Sequence, residues 1–255
     1  MHMPAIYPDL KERSVFVTGG GSGIGAALTE AFVKQGANVA FVDIAETESR
    51  ALADRMEIEH GRRPLFVPCD IRDVAALQAA VAEAGRIFGD ISVLLNNAAN
   101  DQRHTVESVT PDYWDDRMAI NQRPMFFTAQ AVLPMMQRLG QGSIVNFGSI
   151  SWKLGNGGMP AYTTAKAAVH GLTRGLARDF GIHGIRVNTI LPGWVMTERQ
   201  KALWLTAEAE KEMLAGQCLK IHIQPTAIAD MALFLASDAS VACTAQEFTV
   251  DAGWS

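Results

Sequence analysis

The stretch SVFVTGGGSGIG, Ser14–Gly25, decides how the rest of the chain is read. SVFVT has the β-branched and apolar character of a strand. After the glycines, Ile24, Leu28 and Phe32 recur every four residues as one face of a helix that ends at Gly36. A strand that turns through glycine into a helix places free N–H groups and the positive end of the helix dipole at the strand's carboxyl end. Such a place suits a pyrophosphate, and glycine lets the anion approach the backbone. The spacing Gly19, Gly23, Gly25 is GxxxGxG rather than GxGxxG, and by itself it is equally compatible with a structural turn.

Outward from this turn, strand and helix patterns alternate. NVAFVD, PLFVPCD, ISVLLN, GSIVNFGS, GIRVNTILPG and QEFTV read as further strands. Helical patterns lie between them, one ending near Phe88 and others at Ala207–Ala215 and Ile228–Ala236. Thr110 and Pro111 open what reads as one long helix to Leu139, with Pro124 and Pro134 as points of disturbance. Apolar runs without polar alternation indicate strands buried on both faces. The predicted fold is therefore α/β, a Rossmann-type doubly wound parallel β-sheet with helices on both faces, in a single domain spanning 1–255.

Of the 255 residues 48% are apolar, which suits a globular core, and the net charge of −5 without a Lys/Arg block argues against nucleic acid or an anionic membrane as partner. No apolar run approaches the ~20 residues of a membrane helix, and the first residues lack a secretory pattern. Met1–Met3 read in part as a cloning remnant. Three scattered cysteines suit a reducing compartment, so a cytoplasmic protein is expected.

Asp43 ends the second strand about 20 residues after the glycine turn, where an acid accepts hydrogen bonds from adenosine ribose hydroxyls and repels a 2′-phosphate, or else caps a helix. NAD is thereby favoured over NADP. No GK[ST] follows the glycines, against a triphosphate site. Asp70 with Ile71 and the run NNAA, Asn96–Ala99, close the third and fourth strands and face the same crevice, unless they serve only as turn residues. In YTTAK, Tyr162 and Lys166 stand four apart on one helical face. A phenol titrates near pH 10, so a tyrosine acting as base at neutral pH needs roughly 4 kcal/mol of help, which a neighbouring cation supplies.

With TGGGSGIG, NNAA, Asn121, Ser149, YTTAK and LPG (Leu191–Gly193) in register over nearly the full length, the chain resembles the short-chain dehydrogenase/reductase family. The resemblance implies Tyr162 as general base and Ser149 as hydrogen-bond partner of the reacting oxygen. It implies Lys166 beside the phenolate and the nicotinamide ribose, and Asn121 supporting a water that links Lys166 to solvent. The implied NAD set is Gly19, Ser22, Gly23, Ile24 and Gly25; Asp43 and Ile44; Asp70 and Ile71; Asn97, Ala98 and Ala99; Tyr162 and Lys166; and Pro192, Gly193, Val195 and Thr197. Ala99 departs from the family's usual NNAG. A homotetramer is implied as well.

Within the family, NDQRH, NFGSISW, QCLK and DAGW resemble bacterial aldose 1-dehydrogenases acting on xylose, arabinose or galactose. The implied reaction oxidises C1 of a cyclic sugar to a lactone, with Asn100, Ser149, Ser151, Trp152, Met159, Tyr162 and Trp194 as sugar contacts. A mix of polar groups and Trp side chains along the expected walls, including GWVMTERQKALW, also suits a polyhydroxylated ligand. Sugar acids, polyols or 3-hydroxyacyl compounds remain alternative substrates, and a silent NAD sensor on the same fold is a further alternative. No metal site is expected: the histidines form no HExxH or Cys/His cluster. His170 lies about 80° round the helix from Tyr162, which suits a surface or subunit contact. Ser149 lacks the GxSxG setting of a hydrolase.

Overall fold

In the structure, a computed structural model that describes residues 5–255, the opening run becomes β1 (Ser14–Thr18), buried at every position, followed by α1 (Gly23–Lys34). Met1–Met3 lie outside the described residues. Then follow β2 (Asn38–Asp43), α2 (Glu46–His60), β3 (Leu65–Pro68), α3 (Val74–Phe88), β4 (Val93–Asn96), α4 (Pro111–Asn121) and α5 (Arg123–Leu139). The second half contributes β5 (Gly142–Phe147), α6 (Pro160–Phe180), β6 (Ile185–Pro192), α7 (Glu198–Leu203), α8 (Ala207–Gly216), α9 (Pro225–Ala236) and β7 (Glu247–Val250).

All strand pairs are parallel, in the order β3-β2-β1-β4-β5-β6-β7. Alternate residues of each strand face opposite layers. Val15, Val17, Val93 and Leu95 join α1, α2 and α9 on one side, while Phe16 and Leu94 join α3, α5 and α6 on the other. This two-sided burial is why the strands read as continuous apolar runs. The chain reverses its direction of travel across the sheet between β1 and β4, opening a crevice at their carboxyl ends.

Two details differ from the sequence reading. The long helix is two helices, broken at Gln122, where the backbone turns to φ −137° and ψ −54°. Pro124 explains the break: it has no N–H for the carbonyl four residues back, and its ring crowds that carbonyl. Pro134, on an exposed face, leaves α5 continuous. The second difference is α7, a six-residue helix inside the segment read as a loop wall.

Beneath the crevice the buried polar residues satisfy one another. Asn96 Nδ2 donates to Asn146 Oδ1 at 2.9 Å, Asn146 Nδ2 donates to Thr173 Oγ1 at 3.0 Å, and Thr128 Oγ1 donates to Asn96 Oδ1 at 2.6 Å. The network ties β4 and β5 to α5 and α6, so the strand ends that carry the site are held by bonds no water contests.

Candidate active site

The carboxyl ends of β1, β4, β5 and β6 line one cleft of about 1450 Å³, room for a dinucleotide with a small second ligand. All the residues expected to hold the cofactor line it. At its floor Gly19 takes the left-handed backbone, φ +66°, and its carbonyl faces Gly25 so closely that a β-carbon at Gly25 would lie 1.6 Å from the oxygen. Asn97 clamps the turn from the next strand, donating from Nδ2 to Thr18 O at 3.1 Å and to Gly19 O at 2.9 Å. Thr18 Oγ1 in turn accepts the N–H groups of Asn97 and Ala98, both at 3.1 Å. Ser22 stands at the N-cap of α1 without a side-chain cap bond. The amide end of that helix therefore faces the cleft, which fits a pyrophosphate.

Asp43 serves both roles weighed from the sequence. Its Oδ1 accepts from Ala45 N and its Oδ2 from Gly21 N, each at 2.9 Å, so the carboxylate braces the start of α2 and the glycine turn together. Its negative charge stays at the cleft edge, a poor neighbour for a 2′-phosphate and a good one for two ribose hydroxyls. Asp70 also lines the cleft, with its carboxylate engaged by Arg72, which also reaches Asp116.

Ser149, Tyr162 and Lys166 meet at the inner end. Pro160 starts α6, and near its first turn the phenol comes close enough to Ser149 for that hydroxyl to pull on it, while Ser149 Oγ accepts Ser151 N at 3.1 Å. Lys166 Nζ donates to Phe147 O at 2.7 Å and lies 5.8 Å from the centroid of the Tyr162 ring. The pair is thus brought together as the four-residue spacing requires, but in the ligand-free protein its electrostatics run opposite to the sequence expectation. Burial, with the Asp101 carboxylate adding to it, pushes the Tyr162 phenol up to about 12, against the weaker pull of Ser149 and Arg103. Burial also draws the Lys166 ammonium down to about 7, with Asp101 opposing. Desolvation disfavours whichever form is charged, so the phenol is held neutral and the amine is half-discharged near neutrality.

The depressed Lys166 value has a measurable consequence in the ligand-free protein. Between pH 10.5 and 7 the unfolded lysine is protonated while the folded one is not, so stability is lost as pH falls through this window and stays lost below it. Lys166→Met is expected to be more stable than the wild type below pH 7 by on the order of a few kcal/mol, roughly 5 to 10 °C in Tm. The gain should fade toward pH 10.5. Thermal unfolding across that range checks it; a gain independent of pH would refute the assignment.

Two expected residues are placed elsewhere. Asn121 is fully buried behind the cleft: its Oδ1 accepts Asn100 N at 2.8 Å, and its Nδ2 donates to Asn100 O and Arg117 O, both at 3.1 Å. Its side-chain amide is thus engaged with the loop after β4. Trp152 does not line the cleft at all; its ring stacks edge-on against His170 at 4.8 Å, with Lys153 Nζ 5.7 Å from its centroid. The turn at Ile150–Trp152 rotates successive side chains apart, so Ser151 faces the cleft while Trp152 faces α6. His170 itself pairs with Glu247 on β7. The other expected contacts, Asn100, Ser151, Met159 and Trp194, line the cleft, and Ser151 Oγ is buried without a protein partner.

Sequence reasoning passed over Asp101, Arg103 and Gln200 as individuals, although it named their segments as walls. Asp101 and Arg103 act electrostatically on Tyr162, and Gln200 Nε2 donates to Asp101 Oδ2 at 2.6 Å. The only signal was a carboxylate beside an expected sugar wall. The C-terminal segment also reaches the site, with Trp254 against Gly216 and lining the cleft.

A family profile described as Enoyl-(Acyl carrier protein) reductase matches residues 19–255. The Rhizobium meliloti protein named Probable galactose dehydrogenase GalD is 51% identical over 247 residues, 97% of this chain and 96% of that one. D-xylose 1-dehydrogenase of Caulobacter vibrioides is 48% identical over 250 residues, 98% of each chain. Among solved structures, a 7 alpha-hydroxysteroid dehydrogenase complexed with NADH and 7-oxo glycochenodeoxycholic acid superposes with a TM-score of 0.90 at 30% identity, covering 97% of this chain and 96% of that chain.

Proposed function

Since the chain belongs to the short-chain dehydrogenase/reductase family of NAD-dependent oxidoreductases, we propose that it oxidises C1 of an aldopyranose to the aldonolactone, with Tyr162 as general base. The observation that carries this reading is the meeting of Ser149, Tyr162 and Lys166 at the inner end of a cleft whose outer walls mix hydrogen-bonding groups with indole rings. Likeness to two sugar dehydrogenases over almost the whole chain supports the substrate class.

When bound, NAD supplies the hydride acceptor and a positive ring beside the site. The glycine turn and the amide end of α1 hold its pyrophosphate, Asp43 its adenosine ribose, and Lys166 its nicotinamide ribose. Once the Tyr162 phenol has released its own proton toward solvent, with the Lys166 ammonium beside it, Oη as phenolate takes the proton of the C1 hydroxyl, and Ser149 Oγ orients that same oxygen. Asn121 acts at one remove, fixing Asn100, whose neighbours face the sugar. Ser151 Oγ, buried and without a protein partner, is well suited to a sugar hydroxyl.

A sugar acid is the second reading, favoured by Arg103. Its guanidinium rests on the Trp204 ring, 5.2 Å from the centroid, and on Met159 Sδ rather than on a carboxylate, and so is available to an anion. A homotetramer belongs to the same proposal, supported by the exposed Trp114 and Phe126. So does a cytoplasmic setting, supported by Cys69, Cys218 and Cys243, all free. Among the described residues no helix is long and apolar enough to cross a membrane.

A panel of pentoses, hexoses, aldonic acids, a polyol and a hydroxysteroid, each with NAD and NADP, tests the reading. NADH should form with a pentose or hexose, and NAD should exceed NADP by about ten-fold or more in kcat/KM, since a 2′-phosphate meets Asp43. Turnover of the hydroxysteroid but of no sugar would overturn it, and turnover confined to aldonic acids would replace it with the second reading.

A further inference from the structure

A single amide joins the two sides of the cleft mouth. Gln200, on α7, accepts the indole N–H of Trp194 at Oε1, 2.9 Å, and donates from Nε2 to Asp101 Oδ2, 2.6 Å. An indole nitrogen only donates and a carboxylate only accepts; a neutral amide satisfies both at once, and the two partners fix which way it faces. Asp101 belongs to the loop after β4, and Trp194 to the segment just after β6. Gln200 therefore spans segments that β5 and α6 separate in the chain.

The helix that carries it cannot hold its own place. α7 has six residues and buries none of them, too short to be stable by itself and without an apolar face to dock. Its side-chain ties across the cleft are the Gln200 bonds, the Arg103 stack on Trp204 just beyond its end, and an Arg199 to Asp101 pair at 3.3 Å. Arg199 is half-exposed, so solvent weakens that last tie. Asp101 also lies near enough to Tyr162 and Lys166 for its charge to act on both, so what Gln200 holds is the immediate surroundings of the reacting hydroxyl.

We propose that Gln200 is a specificity-determining strap: by bonding Asp101 and Trp194 together it holds α7 as a roof over Tyr162, so that the cleft admits one sugar ring and rejects a substrate bearing a second. The size limit rests on the sugar reading above; the strap itself does not. Gln200 is a positioning residue, acting through Asp101 and Trp194.

Its test exchanges the two ends. Gln200→Glu sets one carboxylate against another and breaks the strap. The double variant Asp101→Asn, Gln200→Glu rebuilds it, because the new Asn amide donates to the new carboxylate, which still accepts the Trp194 N–H, and one negative charge is kept. In Gln200→Glu, KM for D-xylose and D-galactose should rise about ten-fold or more with a smaller change in kcat. The preference in kcat/KM for D-xylose over xylobiose should fall by a similar factor, and amide hydrogen exchange across α7 should quicken in the ligand-free protein. The double variant should reverse all three. Unchanged KM, preference and exchange in Gln200→Glu, or a double variant as impaired as the single one, overturns the strap. If the wild type oxidises no sugar, the sugar reading fails alone and the exchange data decide the strap: slow exchange of α7 in Gln200→Glu then refutes it.

Discussion

Tyr162→Phe is expected to lower both kcat and kcat/KM for sugar oxidation by about a thousand-fold, the scale that a positioned acid or base contributes. The substitution removes one oxygen. It leaves the ring over which Lys166 sits, and costs the ground state only the contact with Ser149. NAD binding, which uses the glycine turn, Asp43 and Lys166, should survive within a few-fold. Equal loss in kcat and kcat/KM is the mark of an interaction made in the transition state alone. Steady-state NADH formation together with cofactor titration separates the two effects. Retention of more than a tenth of wild-type turnover would mean that another group takes the proton, and Ser149 would be the next to test.

Gly25→Ala should be as damaging at the opposite end of the cleft, and for a reason of space alone. The added methyl would lie 1.6 Å from Gly19 O and 2.8 Å from Asn97 Nδ2, so the turn must open and the Asn97 clamp must break. Neither neighbour is the free end of a flexible side chain. Overpacking of this kind costs at least about 1 to 3 kcal/mol, a fall in Tm of about 5 °C or more. The larger loss is in binding, since the displaced backbone is what faces the pyrophosphate. Wild-type protein with NAD at about 100 times Kd gains about 2.7 kcal/mol of stability. The variant should show almost no such shift. A variant whose Tm still climbs on adding NAD would show that the turn tolerates the methyl and that the anion is held elsewhere.

The sheet and its cofactor end were readable from the chain because each rested on local chemistry. Buried parallel strands need continuous apolar runs, and a turn packed as closely as that between Gly19 and Gly25 leaves no choice of side chain. Tyr162 and Lys166 were readable because helical geometry alone brings them together. What escaped depended on distant partners. The break at Gln122 follows from Pro124, but its exact position depends on how α4 and α5 pack, and the pull of Asn121 on Asn100 crosses 21 residues. Trp152 was misplaced because one turn of 3-10 geometry decides which of two adjacent side chains sees the cleft. In the ligand-free protein the electrostatics differ from the expectation for a related reason: a spacing of four conveys proximity but says nothing of burial, and burial is the larger influence on both groups.

The grip of Asn121 on both the N–H and the C=O of Asn100 divides the stretch after β4 into two parts with separate fates. Up to that residue the backbone is pinned from behind and keeps its register at the dinucleotide. Past it, Asp101 to His104 are held from the front, Asp101 by Gln200, Arg103 by the Trp204 ring, and His104 by Gly158 O and Ala161 N. Descendants of such a gene, or an engineer working on it, would keep the dinucleotide seat when exchanging those four residues, but would retune the base together with the sugar wall.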